Sequence, residues 1–96
     1  MGKQEILEIL RQYKQETAGT YGIVDIGVFG SVARGDAAED SDVDVVVRIV
    51  KPDLFMLVGI KHELEERLLR SVDVVTYRED MNTFLKKRID GEAVYA

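Results

Sequence analysis

Residues 30–44 read Gly-Ser-Val-Ala-Arg-Gly-Asp-Ala-Ala-Glu-Asp-Ser-Asp-Val-Asp, and this stretch sets two kinds of chemistry side by side. Gly30-Ser31 follows an apolar run, and ten residues separate Ser31 from Asp42, with Asp44 two positions later at the head of another apolar run. A glycine directly after a strand lets a phosphate approach the backbone, free N–H groups at the start of a helical turn attract anions, and the Ser31 hydroxyl adds a donor. Side chains alternate along a strand, so Asp42 and Asp44 share one side with Cα atoms roughly 6–7 Å apart. Two carboxylates so placed can bridge divalent ions ~3.5–4 Å apart. Oxygen-only ligands beside a phosphate favour Mg2+ or Mn2+ over zinc. The plainer alternative for the aspartates is an exposed strand start that caps the preceding loop, and Gly-Ser alone is a common turn.

Asp36, Glu39, Asp40, Asp42 and Asp44 put five carboxylates into nine residues. Their repulsion is easiest to understand if some of them hold a cation, although charge runs are commonly solvated loops. Asp36, Glu39 and Asp40 are left out of the expected site. His62, the only histidine, is expected to be solvated on the polar flank of a helix, and Asp25 is left without a role.

These residues need elements to hold them. Apolar spacing at Ile6, Ile9, Leu10 and Tyr13 predicts an amphipathic helix over 3–17. Residues 23–29 predict a strand, ended by Gly30-Ser31, with a short helical turn to about Gly35 and a polar loop through Ser41. A second strand spans 42–50, and Pro52 stops it. Asp53 caps a helix to about Arg70 that presents Leu54, Leu57, Val58, Leu64 and Leu68 on one face. Residues 71–77 form a third strand, and Asp80 or Asn82 caps a last helix through about Ile89, built on Met81, Phe84, Leu85 and Ile89, with Gly91 as its stop. The order α-β-(turn)-β-α-β-α is an α/β (α+β) arrangement, a small mixed β-sheet with helices packed on it.

Ninety-six residues predict one domain over 1–96, burying roughly 60–65% of the unfolded surface. Hydrophobic content of 46% and charged content of 32% are those of a soluble protein. A net charge of −5 argues against general nucleic-acid binding. There is no cysteine, no apolar run near the ~20 residues of a membrane span and no signal-like start, so a cytoplasmic protein is expected.

The string Gly30-Ser31, ten residues, then Asp42-Val43-Asp44 resembles the signature of the DNA polymerase beta-like nucleotidyltransferases. The longer run is similar to the smallest members of that superfamily, the minimal nucleotidyltransferases, over essentially the whole chain. The resemblance implies a nucleotidyltransferase-like core in which Asp42 and Asp44 hold two divalent cations and Ser31 contacts a triphosphate. It also implies a third carboxylate, matched by Asp73 in Ser-Val-Asp-Val-Val, where a charge between two valines independently asks for a reason. Arg34 then either stabilises the phosphates or balances Asp36 or Asp40. Minimal nucleotidyltransferases commonly accompany a helical HEPN-domain toxin, and the implied reaction transfers AMP from ATP to a tyrosine of that partner. The lack of an acceptor domain, apolar Phe55 and Met56, and a Val94-Tyr95 tail fit a partner surface; equally, those residues could join the core and the tail could fold back on the sheet. Two other functions stay open: a non-catalytic module that masks its partner, and transfer to a small molecule such as an aminoglycoside, for which a homo-oligomer would have to build the acceptor pocket.

Overall fold

The computed structural model describes residues 1–38 and 40–96. Four helices and four strands follow one another: α1 (Lys3–Tyr21), β1 (Ile23–Phe29), α2 (Gly30–Arg34), β2 (Val43–Ile49), α3 (Leu54–Leu68), β3 (Val72–Thr76), α4 (Thr83–Glu92) and β4 (Val94–Tyr95). The sheet order is β3-β2-β1-β4. β1 runs antiparallel to both β2 and β4, while β2 and β3 are parallel, joined by the α3 crossover. The sheet is mixed, as the sequence predicts.

Its two faces differ. Alternation sends Val43, Val45, Val47 and Ile49 of β2 into one core with Ile26 and Val28 of β1, Leu10 and Tyr13 of α1, and Ile60 and Leu64 of α3. The opposite face is thinner: Phe29 and Val46 pack beneath Ile89 of α4, flanked by Val75, Tyr77, Met81 and Leu85. Asp44 lies on this second face, two residues before Val46. One face is therefore closed by two long helices, and the other leaves strand ends accessible beside α4.

Capping follows the sequence. Asp53 accepts the Met56 N–H at 2.8 Å, and Asn82, not Asp80, accepts that of Leu85 at 3.0 Å. Four expectations are corrected. Helix α1 continues through Gly19 to Tyr21, because the Tyr21 hydroxyl donates to Glu63 of α3 and holds the last turn, and Gly22 closes it in the left-handed region at φ 66°. Gly91 does not stop α4, which runs on to Glu92. On α3 the buried ridge is Ile60, Leu64 and Leu68; Leu54 (72%) and Val58 are exposed, as is Phe84 of α4. Phe55 is 89% exposed, whereas Met56 packs half-buried against the core. The tail folds back: Val94 and Tyr95 pair with Val28 and Gly27, and the Ala96 N–H donates to Ile26 O at 2.9 Å.

That last pairing depends on Gly27. A Cβ there would stand 2.5 Å from Val94 O and 2.9 Å from Tyr95 Cα. Gly27→Ala is expected to push β4 off the sheet at a cost of about 1–3 kcal/mol, the range for overpacking. The Ala96 amide should then exchange with solvent freely; protection equal to wild type would show that the sheet absorbs the methyl.

Candidate active site

The β1–α2 junction is where the backbone is most constrained. Gly30 adopts φ +71°, and a Cβ at this position would overlap Asp44 Oδ2. Only glycine lets the chain turn out of β1 this close to the carboxylate. The turn is closed by Ser31 O, which accepts the Gly35 and Asp36 N–H groups at 3.0 Å each, with Gly35 left-handed at φ +84°. Gly30 is buried and Ser31 half-buried, so strand and turn deliver the pair as the sequence predicts.

Asp44 and Asp73 are register partners across β2 and β3. Both follow the alternation that puts Val46, Val75 and Tyr77 on the α4 face, so their carboxylates share that side. Asp44 is half-buried; Asp73 and Asp42, one residue before β2, are exposed. Burial holds the Asp44 carboxyl above the usual range, and the negative charges of Asp73 and Asp42 push the same way against Arg88 and Arg34. All three aspartates thus act on one locus. Among the described residues no three carboxylate or imidazole groups already converge as a closed cage. The donor set is nevertheless all oxygen, and its mutual repulsion is what a hard divalent cation relieves.

Cationic groups face the carboxylates. Arg34 Nη1 donates to Glu92 Oε1 at 3.2 Å and Arg34 Nε to Asp36 Oδ2 at 3.3 Å, so the expected balance with Asp36 is real and a contact with α4 is added. Arg88 lies over the Phe29 ring at 5.7 Å and 3.8 Å from Glu92 Oε2. Sequence reasoning missed Arg88 and Glu92. Their four-residue spacing was visible, but only folding brings them across some 60 residues to Gly30. Arg70 was also missed; it donates to Ser41 O at 2.6 Å and Ala38 O at 3.1 Å, tying down the loop that leads into Asp42.

Of the residues set aside, Asp36 alone reaches the site, through Arg34 and Ser31 O. Asp36 and Asp40 are exposed, Glu39 lies outside the described residues, and His62 is exposed on α3. Asp25 pairs with Arg48 at 3.8 Å, at the far end of β1 from Gly30. A separate cleft of about 130 Å³, lined by Lys3, Ile6, Val32 and Arg70 among others, includes none of the three aspartates.

Comparison with known proteins gives the family. The nucleotidyltransferase-domain profile matches residues 3–96. Protein adenylyltransferase MntA of Thermococcus cleftensis is 38% identical over 93 residues, covering 96% of this chain and 93% of its own. A Methanocaldococcus jannaschii protein provisionally named as a protein adenylyltransferase is 35% identical over 92 residues, covering 95% and 94%. A solved structure described as a minimal nucleotidyltransferase superposes with a TM-score of 0.76 at 34% identity, covering 98% of this chain and 95% of that one. A chain from a complex of an AMPylated Shewanella oneidensis HEPN toxin with its MNT antitoxin has the same fold, with a TM-score of 0.73 at 18% identity over 97% and 70% of the two chains. With its Gly30-Ser31 turn set against Asp44 and Asp73, the chain belongs to the nucleotidyltransferase-domain family.

Proposed function

We propose that this chain, acting as one domain over residues 1–96, transfers AMP from ATP to a tyrosine hydroxyl of a helical HEPN-type partner in the cytoplasm, and so serves as an antitoxin. The observation that supports this most is the contact of the left-handed Gly30 with Asp44, which brings a phosphate-accepting turn and a carboxylate pair within one side-chain length. The relatives named protein adenylyltransferases supply the reaction class, and the AMPylated HEPN toxin of the structural neighbour suggests the acceptor. Among the described residues no helix is long and apolar enough to cross a membrane.

In this reading the Ser31 side of the turn holds the triphosphate, and Arg34 exchanges its Asp36 contact for a phosphate oxygen while its contact with Glu92 is kept. Asp42 and Asp44 hold Mg2+ or Mn2+, with Asp73 completing the set. Such an ion, when bound, makes a hydroxyl more acidic and neutralises charge on the phosphates. The acceptor oxygen forms a bond to the α-phosphorus as the bond to the pyrophosphate oxygen breaks. In the same reading Asp73, which is exposed, accepts the hydroxyl proton. Positioning and charge stabilisation are the protein's main contributions.

A module that only masks its partner has no use for a half-buried carboxylate held above its usual range by burial and by two neighbouring carboxylates. The readings separate in a melting experiment. A ligand at 100 times its Kd stabilises the native state by about 2.7 kcal/mol, which is about ten degrees or more for a chain of this size. ATP with magnesium chloride is expected to give that shift; an unchanged melting temperature at saturating nucleotide would favour masking.

A further inference from the structure

We propose that Glu92 is a positioning residue for the phosphate-binding turn, holding the Gly30 backbone against Asp44 and setting Arg34 across the mouth of the site. The inference rests on the reading that the Gly30-Ser31 turn takes the triphosphate. One carboxylate divides its two oxygens between two elements. Oε2 accepts the Gly30 N–H at 2.9 Å, and Oε1 accepts from Arg34 Nη1 at 3.2 Å.

Glu92 is itself held firmly. Ile89, one turn earlier, is 1% exposed against Phe29, and its carbonyl accepts the Ala93 N–H at 2.9 Å. Two residues after Glu92, Val94 pairs with Val28 of β1. The carboxylate is therefore fixed from both sides on the same strand whose end it grips. Gly30 is caught between Asp44, which leaves no space for a Cβ, and Glu92, which takes its N–H. Arg34 is gripped locally by Asp36 and remotely by Glu92; only the second grip relates it to α4 rather than to its own loop.

The test is calorimetric titration of the full-length chain with AMP-PNP and magnesium chloride. Glu92→Ala loses the charge-assisted hydrogen bond to Gly30 and two ion pairs, with Arg34 and Arg88, and its Kd is expected to rise about tenfold or more. Glu92→Gln keeps a carbonyl oxygen for the Gly30 N–H and is expected to stay within about threefold of wild type, a rescue that a general loss of stability would not produce. If Glu92→Ala does not fold, Glu92→Asp, one methylene too short to span both partners, takes its place with the same expected loss. Unchanged or tighter binding by the Ala or Asp variant would overturn the proposal, tighter binding marking the carboxylate as a mere competitor of phosphate. Gln as damaging as Ala would also overturn it. Absence of binding by the wild-type chain would instead remove the nucleotide reading of the turn, and this inference with it.

Discussion

Asp44→Asn is expected to lower adenylyl transfer by about three orders of magnitude or more, on the scale of removing one preorganised electrostatic group from a reacting centre. The same change should make the metal-free protein more stable at neutral pH. Burial and the Asp73 and Asp42 charges raise the Asp44 carboxyl above its usual range in the fold. A raised acid contributes its full share of stability only below the unfolded value, and loses it as pH rises through the folded one. Asn never ionises and escapes that loss. In EDTA the variant should therefore melt above wild type at pH 7, and the gap should close in acid. Retained transfer would remove Asp44 from the mechanism; a lower melting temperature at neutral pH would show that the carboxylate is instead held by its arginines. Asp42→Asn is expected to impair transfer as well, with the smaller stability gain of an exposed charge that acts on Asp44 from a distance.

Gly30→Ala should be the most damaging single methyl in the chain. The left-handed φ costs an L residue roughly 1–2 kcal/mol. Its Cβ would also overlap Asp44 Oδ2, so turn or carboxylate must move, at about 1–3 kcal/mol more. Together these predict a fall in melting temperature of about ten degrees or more, together with loss of the nucleotide-induced shift. Moving Asp44 or the turn breaks their alignment, so no relaxation should restore binding. A variant that melts like wild type and still responds to ATP would contradict the contact on which the site is built.

The strands and the motif were legible because both write themselves locally. Val-rich runs bounded by Gly30 and Pro52 leave little choice of element, and the Asp42/Asp44 alternation needs only a strand to become a shared side. Asp73 was legible for a similar reason, as a charge between valines, and the parallel register then set it beside Asp44. What escaped was tertiary. Nothing near Tyr21 in the sequence tells of Glu63, the partner that keeps the last turn of α1 helical past Gly19. Arg88 and Glu92 look like an ordinary i,i+4 surface pair until β4 folds back and draws the end of α4 to Gly30. The ridge of α3 was misplaced because Leu54, Phe55 and Val58 are as apolar as the residues that do face the core, and helical periodicity cannot choose between two apolar stripes. Their exposure leaves apolar side chains outside the core, as a chain with a partner can carry.

Transfer of AMP to a protein by these residues would leave a covalent mark on the acceptor, which intact-mass and peptide mass spectrometry reads. The chain is incubated with labelled ATP, magnesium chloride and the protein encoded by the adjacent gene. The predicted result is one or more adenylyl groups on tyrosine of that protein, absent with Asp44→Asn. An unmodified partner, in a reaction where the chain binds both ATP and that partner, would contradict it.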